Sequence, residues 1–143
     1  MAIKEKFKYI KLGERDWIIG KFDALTGSYI AAKLMATSLP GGMEKQMGIS
    51  NLPKGRSFMS KEEFKDLQIE CLKVCYEDLK AGKAPVIGDN NAWGVADIED
   101  DMVLVISLTI HALIHNVAGF FEGNALKDLL ESFRGMKLAG VSI

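Results

Sequence analysis

Between Phe7 and Phe22 apolar and polar residues alternate, in the runs FKYIK and DWIIGKF on either side of Leu12-Gly13-Glu14-Arg15. A period of two sends successive side chains to opposite faces of a strand, and the Gly-bearing break is a turn. The pattern therefore predicts a β-hairpin over about 6–22. From Asp23 the period lengthens: Leu25, Tyr29, Ile30 and Leu34 recur at helical spacing, predicting a helix over about 24–38 that stops before Pro40-Gly41-Gly42. The stretch that follows has no period and is punctuated by glycine, which predicts a flexible loop over about 40–59. So long an irregular segment inside a compact domain points to a functional loop.

Ser60 and Glu63 have the spacing of a capping box, in which each side chain accepts from the other residue's amide. Behind it Phe64, Leu67, Cys71, Leu72, Cys75 and Leu79 form one apolar stripe, predicting a helix over about 61–81 that Gly82 ends. The run APVIGDNNAWGV predicts a small hairpin near 86–95 that presents Trp93. Asp97, Glu99, Asp100 and Asp101 then place negative charge at the start of a long apolar helix over about 98–121, where the helix dipole favours it. That helix is long enough to span a membrane. His111, His115 and Asn116 in its second half, acidic near flanks and the lack of an adjacent Lys or Arg favour a central buried helix instead. A last helix is predicted over about 125–133. The sum is one α+β domain over 1–143, mostly α, with an N-terminal hairpin and a compact helical bundle around the long helix.

A chain of 143 residues, 48% hydrophobic and 26% charged, can bury a core without metals or disulfides, which excludes disordered and collagen-like classes. A net charge of −1 gives no global positive field, so nucleic acid is not an expected partner, and with the long helix read as buried neither is a membrane. Charge is unevenly spread, however. Through Lys61 there are 11 Lys and Arg against 5 Asp and Glu, net +6; beyond it there are 7 against 14, net −7. Such polarity predicts head-to-tail self-association into rings or helical filaments, with Lys6, Lys8 and Lys11 facing Asp97, Asp100 and Asp101. Solvated faces and, for the N-terminal lysines, protection of an exposed strand edge are the alternatives.

Candidate chemistry is sparse. No Walker loop, GxGxxG or GxSxG motif is present. His111 and His115 share a helical face by spacing, but HALIH lacks the Glu of zinc-protease helices and offers no third ligand. Cys71 and Cys75 lie on the apolar stripe, where free cysteine acts as a small hydrophobe, and helical spacing does not suit a disulfide. Unpaired cysteines and the lack of an apolar leader predict a reducing, cytoplasmic setting. Neither catalytic residues, metal nor cofactor are expected. Met43, Met47, Met59 and Trp93 are the candidate partner-binding residues, methionine being adaptable at permissive surfaces, with core plugging as the alternative for the methionines.

The order KFDALTGSYIAAKLM, a Pro/Gly-rich loop, SKEEFKDLQIECLKVC, a short turn with Trp93, and VADIEDDMVLVISLTIHALIHNVAGFF resembles the tail assembly chaperones of long-tailed bacteriophages and prophages, across Lys21 to Phe121. The resemblance implies a non-enzymatic homo-oligomer in the host bacterial cytoplasm. It would coat the tape measure protein, keep it soluble and help recruit tail-tube protein subunits, without being retained in the virion. It also implies a longer frameshifted form as a partner. The rival readings are a metal-binding domain or enzyme using His111, His115, Cys71 and Cys75, and an unrelated scaffold or adaptor module.

Overall fold

A computed structural model describes residues 6–49, 52–122 and 131. The N-terminal alternation forms β1 (Lys8–Leu12) and β2 (Arg15–Ile19), paired antiparallel around the turn at Gly13-Glu14. Asp23 then caps α1 (Ala24–Ala36), its carboxylate accepting from the Thr26 amide at 3.0 Å. These elements are where the residue pattern places them.

The segment expected to be a flexible loop is built instead as a strap. Its described elements are β3 (Thr37–Ser38), a tight turn at Pro40–Gly42, α2 (Met43–Gln46) and β4 (Ser57–Phe58), which pairs parallel with β3; residues 50 and 51 lie outside the described residues. A largely buried carboxylate, Glu44, and a partly buried Arg56 hold it. Glu44 accepts from the Leu39 amide at 2.7 Å and from Arg56 at 3.4 Å, while Arg56 donates to Pro53 O at 2.7 Å and Thr37 O at 2.9 Å. Arg56 also reaches Leu34 O, so one guanidinium satisfies carbonyls at the C-terminal end of α1 and ties the strap to it. Met47, Ile49 and Met59 are buried in the core beneath.

The capping box at Ser60 forms with both bonds, at 3.1 and 3.0 Å, and opens α3 (Lys61–Leu72). The helix does not run to 81. Residues beyond Leu72 leave it and form β5 (Cys75–Leu79), which hairpins to β6 (Gly82–Pro85), so the N-terminal hairpin becomes part of a four-stranded antiparallel sheet ordered β1-β2-β5-β6. The physical reason is non-local. Glu77 lies opposite Trp17 on the neighbouring strand and takes two hydrogen bonds from Arg15, at 2.8 and 2.9 Å, a fork that a helix there would forgo. Gly82, expected as a helix stop, instead opens β6 just after the β5–β6 turn at φ 133°, a conformation that favours glycine.

Past β6 a small hairpin forms as expected, with Ile87 bridging Trp93. Gly94 donates to Val86 O at 2.9 Å, and a Cβ on Gly94 would lie 2.3 Å from Pro85 O, so only glycine fits this approach. Asp101 caps α4 (Met102–Leu113), accepting from Leu104 N at 3.0 Å. A π turn at Ile114–Ala118 and α5 (Gly119–Glu122) continue the same rod. The predicted helix over 125–133 lies outside the described residues, save Glu131.

By length and composition the stretch from Met102 to Phe121 could cross a membrane. In the fold its inner side is core: Leu108, Ala112, Leu113, Val117 and Phe121 pack with Trp17 and Ile19 from the sheet, Ile30 and Leu34 from α1, and Leu67 and Cys71 from α3. The π turn is where the helix is fastened. Asn116 accepts from Phe22 N at 2.8 Å and donates to Gly20 O at 3.0 Å and Ala112 O at 2.9 Å. Lys21 donates to His115 O, and His115 Nε2 is 3.3 Å from Lys6 O. A π turn frees carbonyls from the helical ladder, and here side chains and the β2–α1 link use the irregularity.

Candidate interaction surfaces

Helix α1 is apolar on two sides. Ile30 and Leu34 enter the core, whereas Leu25 and Tyr29 stand 85% and 65% exposed. Opposite them runs α3, and the two helices enclose an open groove of about 500 Å³. Ile30, Leu67 and Ile69 contribute apolar lining, and Lys33, Glu63, Asp66, Glu70 and Lys73 the charged lining. Lys33 and Glu63 pair across it. Glu70 and Lys73 are 3.5 Å apart on α3. Asp66 is exposed and has no ion-pair partner among the described residues.

Lys33 and the Ser60 amide hold the Glu63 carboxyl well below its ordinary 4.5, at about 2. A depressed carboxylate favours the folded state above the unfolded value, and that contribution fades as pH falls from about 4.5 toward 2. An NMR titration of the Glu63 side chain should give a midpoint near 2. In the Lys33→Ala variant the midpoint moves up, but stays below the ordinary value because the Ser60 bond remains.

A second surface surrounds the start of α4. Met102 and Val103 are 76% and 73% exposed beside Asp97, Glu99, Asp100 and Asp101. Arg15 donates to Ala96 O at 3.0 Å and lies over the Trp17 ring, so this acidic end adjoins the turn end of the first hairpin. Lys6 sits at the other end, beside His115, about 20 Å away along a helix that rises 1.5 Å per residue. Lys8 lies in register with Ile19 and contributes to the charge around His111, whereas Lys11 is opposite Asp16 and nearer the hairpin turn. Charge polarity along the chain is thus partly a polarity in space: Lys6, Lys8 and Lys21 toward one end, four carboxylates at the other.

Of the four candidate contact residues, Met47 and Met59 are core side chains, Met43 packs against the core, and Trp93 is 40% exposed. The strap turns Met47 and Met59 inward, and large exposed apolar side chains stand instead at Phe58 on β4 and at Leu25 and Tyr29 on α1.

Cys71 and Cys75 are free and buried, on α3 and at the start of β5 rather than on one helix. The Cys75 thiol donates to Cys71 O at 3.3 Å and faces Leu108 O at 3.8 Å. Burial pushes Cys75 up to about 12 and Cys71 well above its ordinary value, so neither offers a thiolate. We expect a thiol reagent at pH 8 to leave both unmodified in the native protein and to label both in urea. His111 is lowered by burial and by the charge of Lys8, and its Nδ1 is buried without a hydrogen-bond partner among the described residues. No cluster of three or more His, Cys, Asp or Glu among the described residues is placed to hold a metal.

The model of the family described as phage tail assembly chaperone protein, TAC, matches residues 13–127. The chain belongs to that family. The match takes in most of the four-stranded sheet, both walls of the groove and the whole rod from Met102 to Glu122, and it extends beyond Lys21–Phe121 at both ends. Neither a curated protein nor a solved structure matches the chain significantly. Membership makes this a chaperone of tail assembly, with tail proteins as its binding partners.

Proposed function

We propose that this chaperone binds the tape measure protein in the host bacterial cytoplasm, keeps it soluble, and helps recruit the tail-tube subunits that displace it. It acts by binding and not by catalysis, and it leaves before the virion is complete. The observation that carries this reading is the exposed apolar pair Leu25 and Tyr29 beside a charged groove, on a member of a chaperone family. Soluble domains expose few contiguous apolar patches unless they bind something there. Co-expression with the tape measure protein of the same genome tests it. Retention of that protein in the soluble fraction, with this chain bound, is the expected result; its precipitation with this chain left alone would count against the reading.

The same proposal includes self-association. The carboxylates around Met102 and Val103 complement the lysines at the far end of the rod, and a head-to-tail contact between unlike ends repeats into a ring or helix. A client much longer than one subunit needs such repetition. Light scattering between about 0.05 and 1 M salt is the test, because screening shortens the reach of charges from about 14 Å to about 3 Å. The assembly should shrink while the fold persists; constant size in folded protein would sink the electrostatic contact. A frameshifted longer form would join the assembly through this fold, and its presence is read by mass spectrometry of the products of the intact coding region.

A further inference from the structure

We propose that the α1–α3 groove seats one amphipathic helix of the client, with apolar residues at i, i+4 and i+7 and a Lys or Arg beside them. This rests on the client-binding reading above and assigns it a place and a chemistry. Apart from Asn91 the groove is lined by two helices, whose backbone groups are already used, so an extended segment gains no strand pairing from them and a helix packed between two helices is the mode that fits. From Leu25 to Lys33 the wall runs about 12 Å, a little over two turns, against about 10.5 Å from i to i+7, and the Lys33–Glu63 pair crosses the groove at its far end. Ile30 and Leu67 are its buried apolar lining, and Leu25 and Tyr29 line it with most of their surface exposed.

Charge selects the occupant further. Lys33 pairs with Glu63 and Lys73 with Glu70, which leaves Asp66 as the lining carboxylate without an ion partner among the described residues. A cationic residue flanking the apolar stripe of the client meets it; an acidic one is repelled by it. The acidic surface at the start of α4 is a different place, formed from residues 97–103, so client and neighbouring subunit need not compete.

The test compares full-length variants co-expressed with the tape measure protein, reading the soluble, co-purifying fraction. Leu25→Ala with Tyr29→Ala removes the exposed apolar pair while keeping good helix formers in α1, so folding is preserved and is checked by circular dichroism. That double variant should lose about tenfold or more of the captured client, as truncation of central interface anchors does. Asp66→Lys should lose about fivefold, and restoring Asp66→Glu should keep most of it. Tyr9→Ala, an exposed aromatic on the sheet, is the comparison and should capture normally. Full capture by the double variant, or equal loss with Tyr9→Ala, would overturn the groove assignment while leaving client binding intact. Failure of the unaltered chain to capture anything would instead remove the client-binding reading.

Discussion

Asn116→Ala should lower the free energy of unfolding by about 2–4 kcal/mol, measured by urea denaturation, because three hydrogen bonds to partly buried groups lose their partner at once. Alanine is a better helix former than asparagine, so propensity alone predicts the opposite sign, and the experiment separates the two. The bonds join the π turn to Gly20 and Phe22, the link between sheet and α1. Without them the last turns of the rod should also exchange amide protons faster than the first. A second substitution sharpens the point. Asn116→Asp keeps the acceptor for Phe22 N but turns a carboxylate toward the Gly20 and Ala112 carbonyls. That repulsion raises the new carboxyl's pKa in the folded state, so the variant should recover stability as pH falls below that raised value and the group is protonated. A loss under about 0.5 kcal/mol for Asn116→Ala would mean that packing of the rod, not this side chain, holds the link.

The second large effect is expected at Gly94. A methyl group there would lie 2.3 Å from Pro85 O, a backbone atom that can move only if the hairpin separates from the end of β6. Gly94→Ala should therefore cost about 2–3 kcal/mol, in the upper range for overpacking, and should weaken the bond from Gly94 to Val86 O. Gly88 in the same hairpin is the internal comparison. Its added methyl would meet nothing nearer than 3.9 Å and its φ of −101° suits any residue, so Gly88→Ala should stay within about 0.5 kcal/mol. Thermal unfolding of the two variants side by side reads the difference without assumptions about the rest of the chain.

How much of this was legible beforehand depends on whether the deciding contact is local. The first hairpin, the Ser60 capping box and the long rod each follow from spacing within a few residues, and each is present. The strand at Cys75–Leu79 is not local. Cys75 and Leu79 continue the helical stripe of α3, Glu77 and Asp78 are poor strand formers, and only pairing with β2 and the fork from Arg15 decide the matter. Likewise nothing in the spacing of Glu44 and Arg56 announces that the strap between α1 and α3 closes on a partly buried ion pair with Met47 and Met59 in the core beneath.

The groove, by contrast, had a signal. At about 100° per residue Leu25 and Tyr29 fall on one side of α1 and Ile30 and Leu34 roughly 140° away on another, so the four apolar residues could not share one buried face. A helix apolar on two sides has either a second core contact or a partner. Here the core takes Ile30 and Leu34, and the other pair is left to the surface.

The proposal that several copies of this chaperone coat one tape measure protein is tested by the mass of the complex purified after co-expression, measured by light scattering. A single soluble species is expected, with the mass of one client and several copies of the 15.7 kDa chain, falling apart as salt rises. A stable complex of one chain with one client, unchanged by salt, would contradict it.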